Sequence, residues 1–133
     1  MLNLLIFGGG NTCLEIINYL KDISKSSKKK FNIIGIVDPK TIDRKNIEDS
    51  TKKIKHYFNL KSVNFDKKKT FAIITLGDAA KREKCRVEIR KNGIKLFTLI
   101  HPTSYVATSS KIGQGCILAP FTLVAPKVNL EEN

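Results

Sequence analysis

At 133 residues and 41% hydrophobic content, the chain is the size of one ordinary domain and can supply a core. Its net charge of +12 comes from 24 basic residues, twenty of them Lys, clustered at Lys28–Lys30, Lys52–Lys55 (around Ile54) and Lys67–Lys69. The Arg and interleaved aromatic residues of a nucleic-acid binder are missing, and no apolar run approaches the ~18–20 residues that span a bilayer, so neither a nucleic-acid nor a membrane partner is expected. The lysine clusters read as solvated loops or, less favoured, as patches for nucleic acid or an anionic surface or as a field that steers small polyanions.

Met1–Phe7 is apolar but has no basic leader and runs into glycines, so it is not read as a signal peptide. Leu2–Phe7 reads instead as a strand buried on both faces. Gly8-Gly9-Gly10 follows, and Cys13–Lys25 then carries Ile16, Ile17, Leu20 and Ile23 at helical spacing. Phe31–Val37 is a second apolar strand, ending at Asp38-Pro39. Strand, glycine turn, helix and strand make a βαβ unit with a right-handed crossover.

The segment 41–69 is the least periodic. Ile54, Tyr57, Phe58 and Leu60 fit a short helix, and Val63 and Phe65 an edge strand. Phe71–Leu76 is a third strand, closing on Gly77-Asp78. Asp78 is the expected N-cap of a helix over Ala79–Lys91, with Asn92-Gly93 as its stop. Lys95–Ile100 gives a fourth strand, and His101-Pro102 breaks the pattern.

Beyond the break, aliphatic residues recur every six positions at Val106, Ile112, Leu118, Val124 and Leu130. Small or compact residues precede them by two, at Ser104, Ser110, Cys116, Thr122 and Val128. A period of six fits neither an isolated helix nor a two-sided strand. It fits a three-faced coil in which every sixth side chain joins one interior ladder, the signature of a left-handed parallel β-helix. A coil takes about eighteen residues, so Val106–Leu130 is under two coils, whereas repeat folds need about three stacked units and a cap. Leu118, Phe121, Val124 and Leu130 are therefore expected either to pack on the first domain or to seek another copy of the chain. The fold class expected is α/β: a small Rossmann-like domain over residues 1–101 with a four-stranded parallel sheet, then the first one to two coils of a left-handed β-helix over 102–133.

Three constellations carry chemistry. Gly8-Gly9-Gly10, between strand and helix, lets backbone approach a phosphate and offers the N-terminal N–H groups of the helix. The dinucleotide fingerprint needs a third glycine where Cys13 stands, leaving open a ligand-free turn, a nucleotide or nucleotide-sugar phosphate, and NAD or FAD. Asp38 stands where a carboxylate accepts hydrogen bonds from a ribose or base, or simply forms a turn. Gly77-Asp78, with Arg82 one helical turn on, repeats the arrangement at the third strand. His101 reads as a hinge residue rather than a general base, and His56 as an exposed residue of the irregular segment. No metal-ligand cluster or catalytic set stands out. Cys13, Cys85 and Cys116 are odd in number and lack CxxC pairing, as inert thiols in a reducing cytoplasm would be.

Leu4–Gly10, Ile36–Asp38, Ile74–Arg82, Leu99-Ile100-His101-Pro102 and Lys111-Ile112-Gly113-Gln114-Gly115 together resemble the bacterial sugar O- and N-acyltransferases related to sialic acid O-acetyltransferase and UDP-4-amino-sugar N-acetyltransferase. The resemblance implies a Rossmann-like domain binding a UDP-sugar or related nucleotide-sugar and a β-helix binding acetyl-CoA between subunits of a homotrimer. It places Gly8, Gly9, Gly10, Asn11, Asp38, Pro39, Gly77, Asp78 and Arg82 around the nucleotide-sugar. Asn11-Thr12 replaces the family's usual Gly-His, and Pro39 a frequent second acidic residue. In the family a histidine deprotonates the acceptor, which attacks the thioester directly. That histidine and the acetyl-CoA groove fall beyond Asn133, so the chain is expected to bind a nucleotide-sugar in the cytoplasm with no catalytic residue and no metal of its own. The alternatives are a standalone nucleotide-sugar-binding module and, less favoured, a fragment of an NAD-dependent oxidoreductase.

Overall fold

The structure, a computed structural model, describes residues 1–45 and 48–132. Leu2–Phe7 forms β1, the middle of a parallel sheet, and Leu4, Leu5 and Ile6 are wholly buried there. The second strand, β2, is Phe31–Val37, and Ile34 makes an extra residue in its pairing with β1. Thr70–Ile74 forms β4 on the other side of β1, and Lys95–Leu96 forms β5 beyond it.

The sheet has five strands in the order β3-β2-β1-β4-β5, one more than the sequence indicates. The additional strand, β3, is His56–Tyr57 at the edge, where the sequence reads as a short helix. A Cβ on Gly35 would lie 2.5 Å from the Tyr57 ring, so the missing side chain in β2 is what lets Tyr57 settle against the sheet. Among the described residues, helix in this segment is confined to α2, Asp49–Lys52, and a 3₁₀ turn at Leu60–Ser62. Residues 46 and 47 lie outside the described residues. Val63 and Phe65 pack on the core without joining a strand.

Two helices cover the two faces. Helix α1, Asn11–Ser26, buries Cys13, Ile16, Ile17, Leu20 and Ile23 on one face with Leu4, Ile6 and Ile73. Helix α3, Ala79–Lys91, buries only Cys85 and Ile89, on the other face with Leu5, Phe7 and Ala72. Asp78 caps α3 as expected, its carboxylate accepting the Lys81 N–H at 2.9 Å.

The strand expected over Lys95–Ile100 is split. After β5 the chain turns at Phe97-Thr98, and Leu99–Ile100 forms β6, the first side of the coil. Tyr105–Val106, Lys111–Ile112, Ile117–Leu118, Leu123–Val124 and Asn129–Leu130 follow as β7 to β11. The pairs β6–β9, β7–β10 and β8–β11 match Leu99 with Ile117, Tyr105 with Leu123 and Lys111 with Asn129. The sides therefore repeat at three hexapeptides, and two stacked coils are present. Gly113 sits where they meet closely: a Cβ there would lie 2.5 Å from the Glu131 backbone.

Leu118 and Val124 are 5% and 4% exposed, closed within the coil, while Leu130 on the last side is half-buried. Phe121 is 85% exposed, because it stands at a corner with φ +60° and not on the interior ladder. The coil is fixed to the sheet domain by side chains. Leu99 is wholly buried with the α1 core, and Arg86 and Arg90 of α3 both reach Glu132.

Candidate functional site

The connection from β1 runs to β2 on one side, and the sheet resumes at β4 on the other. The ends of β1 and β4 therefore flank the point where strand order reverses, the place where open parallel sheets bind ligands. All nine residues expected at the site lie at this carboxyl edge, but they do different work.

Gly8 is buried with φ +113°, a conformation that L side chains rarely adopt, and an added Cβ would lie 2.7 Å from Thr75 Oγ1. The Thr75 hydroxyl approaches the carbonyl oxygens of Phe7 and Gly8 at 3.0 and 2.8 Å, pinning the turn to β4. Sequence reasoning missed Thr75, since a lone Thr ending an apolar strand gives no signal. At Gly9 an added Cβ would meet the Ile42 side chain at 2.5 Å, so this glycine is covered by the chain after β2. At Gly10 and Gly77 an added Cβ would meet nothing within 4 Å.

Asp38 organises this turn. One carboxylate oxygen accepts the Gly9 N–H at 2.7 Å and the other the Lys40 N–H at 2.8 Å. Its carbonyl oxygen lies 2.8 Å from His56 Nε2, so His56 is half-buried and engaged, not the exposed residue its basic surroundings imply. Pro39 is exposed beside it. Gly10 is the N-cap of α1 and lacks a side-chain cap; with Asn11 and Thr12 exposed, the first N–H groups of the helix face the open edge.

Two grooves open from the edge. One, of about 520 Å³, has an apolar wall that includes Phe7, Val37 and Leu76, with Gly8, Asp38 and Pro39 at its lip. Lys40, Lys81 and Lys84 line it together with Glu88, an excess of positive charge, and Phe58 in the same lining is 58% exposed. Lys81 and Lys84 also escaped the sequence reading, where they pass for the solvated face of a charged helix. Their three-residue spacing after a capping Asp was the available signal. The second groove, of about 580 Å³, runs between β4 and the coil and is lined by Thr12, Gly77, Arg82, Ile117 and Glu131 among others. Arg82 is half-exposed and forms no ion pair among the described residues.

Neither histidine faces these grooves as a free base. His101 is 6% exposed; the Thr103 N–H donates to its Nδ1 at 3.2 Å, so its Nε2–H is the one directed at Asp22 Oδ2, 3.2 Å away on α1. Tyr19 packs edge-on against the ring. His101 thus works as the clasp between α1 and the coil. Burial pushes the Cys13 and Cys85 thiols up to about 12, with the nearby Asp38 and Glu88 carboxylates adding to it, and burial also raises Cys116. No described thiol is activated.

No family model matches the chain, and no curated protein matches it in sequence. Solved structures do match. The acetyltransferase domain of PglB from Neisseria gonorrhoeae superposes with a TM-score of 0.77 at 19% identity, covering 98% of this chain and 59% of its own. The same domain in complex with acetyl coenzyme A gives 0.77 at 20% identity, covering 98% and 58%. A mutant of perosamine N-acetyltransferase from Caulobacter crescentus, in complex with CoA and GDP-perosamine, gives 0.63 at 18% identity, covering 94% and 55%. At such identities the likeness is one of fold, and it is the fold that the sequence resemblance implies. The chain spans less than two thirds of the length of these structures.

Proposed function

We propose that the chain is the N-terminal, nucleotide-sugar-binding part of a cytoplasmic, acetyl-CoA-dependent sugar O- or N-acyltransferase acting on a UDP-amino-sugar or related glycan precursor. The binding domain runs to the turn at Phe97-Thr98, and the β-helix starts at Leu99. The observation that carries the reading is the crevice where strand order reverses: an uncapped helix N-terminus and three lysines beside an apolar groove, on a chain that continues directly into a hexapeptide coil.

In this reading Gly10 and the N–H groups of Asn11 and Thr12 receive the diphosphate, and Lys40, Lys81 and Lys84 balance its charge. Asp38 holds the glycine turn closed while Pro39 and Leu76 flank the nucleoside. Gly77, Asp78 and Arg82 lead from the crevice toward the coil, where the sugar would point. His56 and His101 are committed to Asp38, Thr103 and Asp22, so the chain by itself binds without transferring an acyl group. The groove described between β4 and the coil is shared with Arg82 and Thr12 and is not a channel of the coil alone, so acetyl-CoA binding and the homotrimer are assigned to the complete enzyme.

Calorimetric titration with UDP tests this. Heat of binding, thermal protection at millimolar ligand, and no acyl transfer from acetyl-CoA are expected. Absence of both heat and protection would overturn the binding proposal, and measurable turnover would overturn the assignment of catalysis to residues elsewhere.

A further inference from the structure

We propose that the amino-terminal edge of the sheet is a docking face for an anionic phospholipid surface. In the sequence the lysine clusters stand far apart. In the fold the parallel strands gather them, because every strand of a parallel sheet starts at the same edge. Leu2 of β1 donates its N–H to the Lys30 carbonyl, Asn3 pairs with Thr70 directly after Lys67–Lys69, and Phe71 pairs with Lys95. Both long helices run back against the strands, so Lys25 and Lys91 in their last turns reach the same edge. The Lys67 side chain lies beside Gly93, 3.7 Å from where a Cβ there would stand, which joins the β4 approach to the turn after α3.

Lys28–Lys30, Lys67–Lys69, Lys25, Lys91 and Lys95 thus form one face of nine lysines, all exposed and none in an ion pair among the described residues. Asp66 is the acidic residue in its loops, and its carboxylate is turned onto the Lys68 N–H. Glu15, Asp38, Asp43, Asp78 and Glu83 lie at or on the first two turns of α1 and α3 or beside and after the end of β2, toward the opposite edge, while Asp22 and Glu88 stand one turn before Lys25 and Lys91, Asp22 engaged with His101. The excess of positive charge therefore gathers at the amino-terminal edge.

The composition of the face selects its partner. It is built of lysines, Arg90 beside Lys91 being paired with Glu132; Met1, 89% exposed, borders it at the start of β1, while Phe58, Tyr105 and Phe121 lie elsewhere. Nucleic acid is bound by guanidinium forks and stacking rings, which this face lacks. Compact ammonium groups spread over a face suit the diffuse attraction of an anionic headgroup layer, which works through clusters of four to eight basic residues and falls off within a Debye length. No helix among the described residues is long and apolar enough to cross a membrane, so the attachment is peripheral. The crevice opens at the far edge, roughly 20 Å away along six-residue strands, and stays accessible when this face is covered.

Vesicle co-sedimentation of the 133-residue chain tests the proposal. Binding is expected to vesicles with about 30 mol % phosphatidylglycerol at about 0.1 M salt, and not to neutral phosphatidylcholine or in high salt. The variant K28E/K68E/K69E should lose about tenfold or more in affinity, while K45E/K111E/K127E, with the same net charge, keeps most of it. Circular dichroism verifies that both are folded. Failure of the folded wild-type chain to bind, equal loss in the two variants, or tighter binding to random duplex DNA than to the vesicles would overturn it.

Discussion

Replacing Gly8 and Gly10 one at a time by Ala separates the part of the glycine turn that holds the fold from the part that faces a ligand. At Gly8 the backbone has φ +113°, and forcing a side-chain residue into such a conformation costs about 1–3 kcal/mol. The new Cβ would lie 2.7 Å from Thr75 Oγ1, which cannot retreat without giving up the one hydrogen bond its hydroxyl shares between the Phe7 and Gly8 carbonyls, about 1 kcal/mol. Gly8→Ala should therefore destabilise by roughly 2–4 kcal/mol, a large part of the ~5–15 kcal/mol of a small domain. For a chain of this size that is a fall of about 7–15 °C in Tm. Gly10 has φ −83° and open space around its Cβ position, so Gly10→Ala should cost only the ~0.5–1 kcal/mol between Gly and Ala as an N-cap. Differential scanning calorimetry reads both. A Tm loss at Gly8→Ala no larger than at Gly10→Ala would refute the account of how the turn is pinned.

Four other outcomes follow from single observations. Gly10→Ser supplies the cap that α1 lacks, so it should raise Tm slightly while weakening UDP in calorimetric titration, because the hydroxyl takes up an N–H that the phosphate would use. Arg82→Ala should leave Tm within about 2 °C, since it breaks no ion pair, and reduce nucleotide-sugar affinity. Thr70 Oγ1 is buried with no hydrogen-bond partner among the described residues, so Thr70→Val should stabilise by about 1 kcal/mol in urea unfolding. The Cys13 and Cys85 thiols, raised from 9.0 to about 12 by burial, hold their protons more tightly folded than unfolded. Their contribution is complete below pH 9.0 and is lost as pH rises toward 12, so stability measured in urea should fall across that window, and Cys13→Ala with Cys85→Ala should flatten the fall.

The elements that carried a long period were legible in the sequence. Ile16, Ile17, Leu20 and Ile23 place α1, the run from Leu2 places β1, and the six-residue register places the coil sides. What escaped depends on contacts remote in sequence. Two residues, His56 and Tyr57, have no period of their own; they become a strand because Gly35 leaves room for the Tyr57 ring. Leu99 and Ile100 continue the apolar run of β5, and only pairing with Ile117 and Leu118 assigns them to the coil. At the site, glycine and aspartate positions could be named, but not their division of labour. That Asp38 binds the Gly9 N–H, that Ile42 covers Gly9, and that Thr75 pins Gly8 all arise from strand neighbours brought together by the crossover. The lysine face is the same case: two clusters that read as separate loops, Lys28–Lys30 and Lys67–Lys69, meet because parallel strands share a starting edge.

The central claim, that the reversal-point crevice binds a nucleotide-sugar, is tested most directly by following backbone amide chemical shifts during titration with a UDP-sugar. The account predicts saturable changes at Gly8 to Thr12, around Asp38 and from Gly77 to Arg82, extending to Lys84, with the Lys28–Lys30 and Lys67–Lys69 loops unchanged. No change at millimolar ligand, or changes confined to those lysine loops or to the coil, would contradict it.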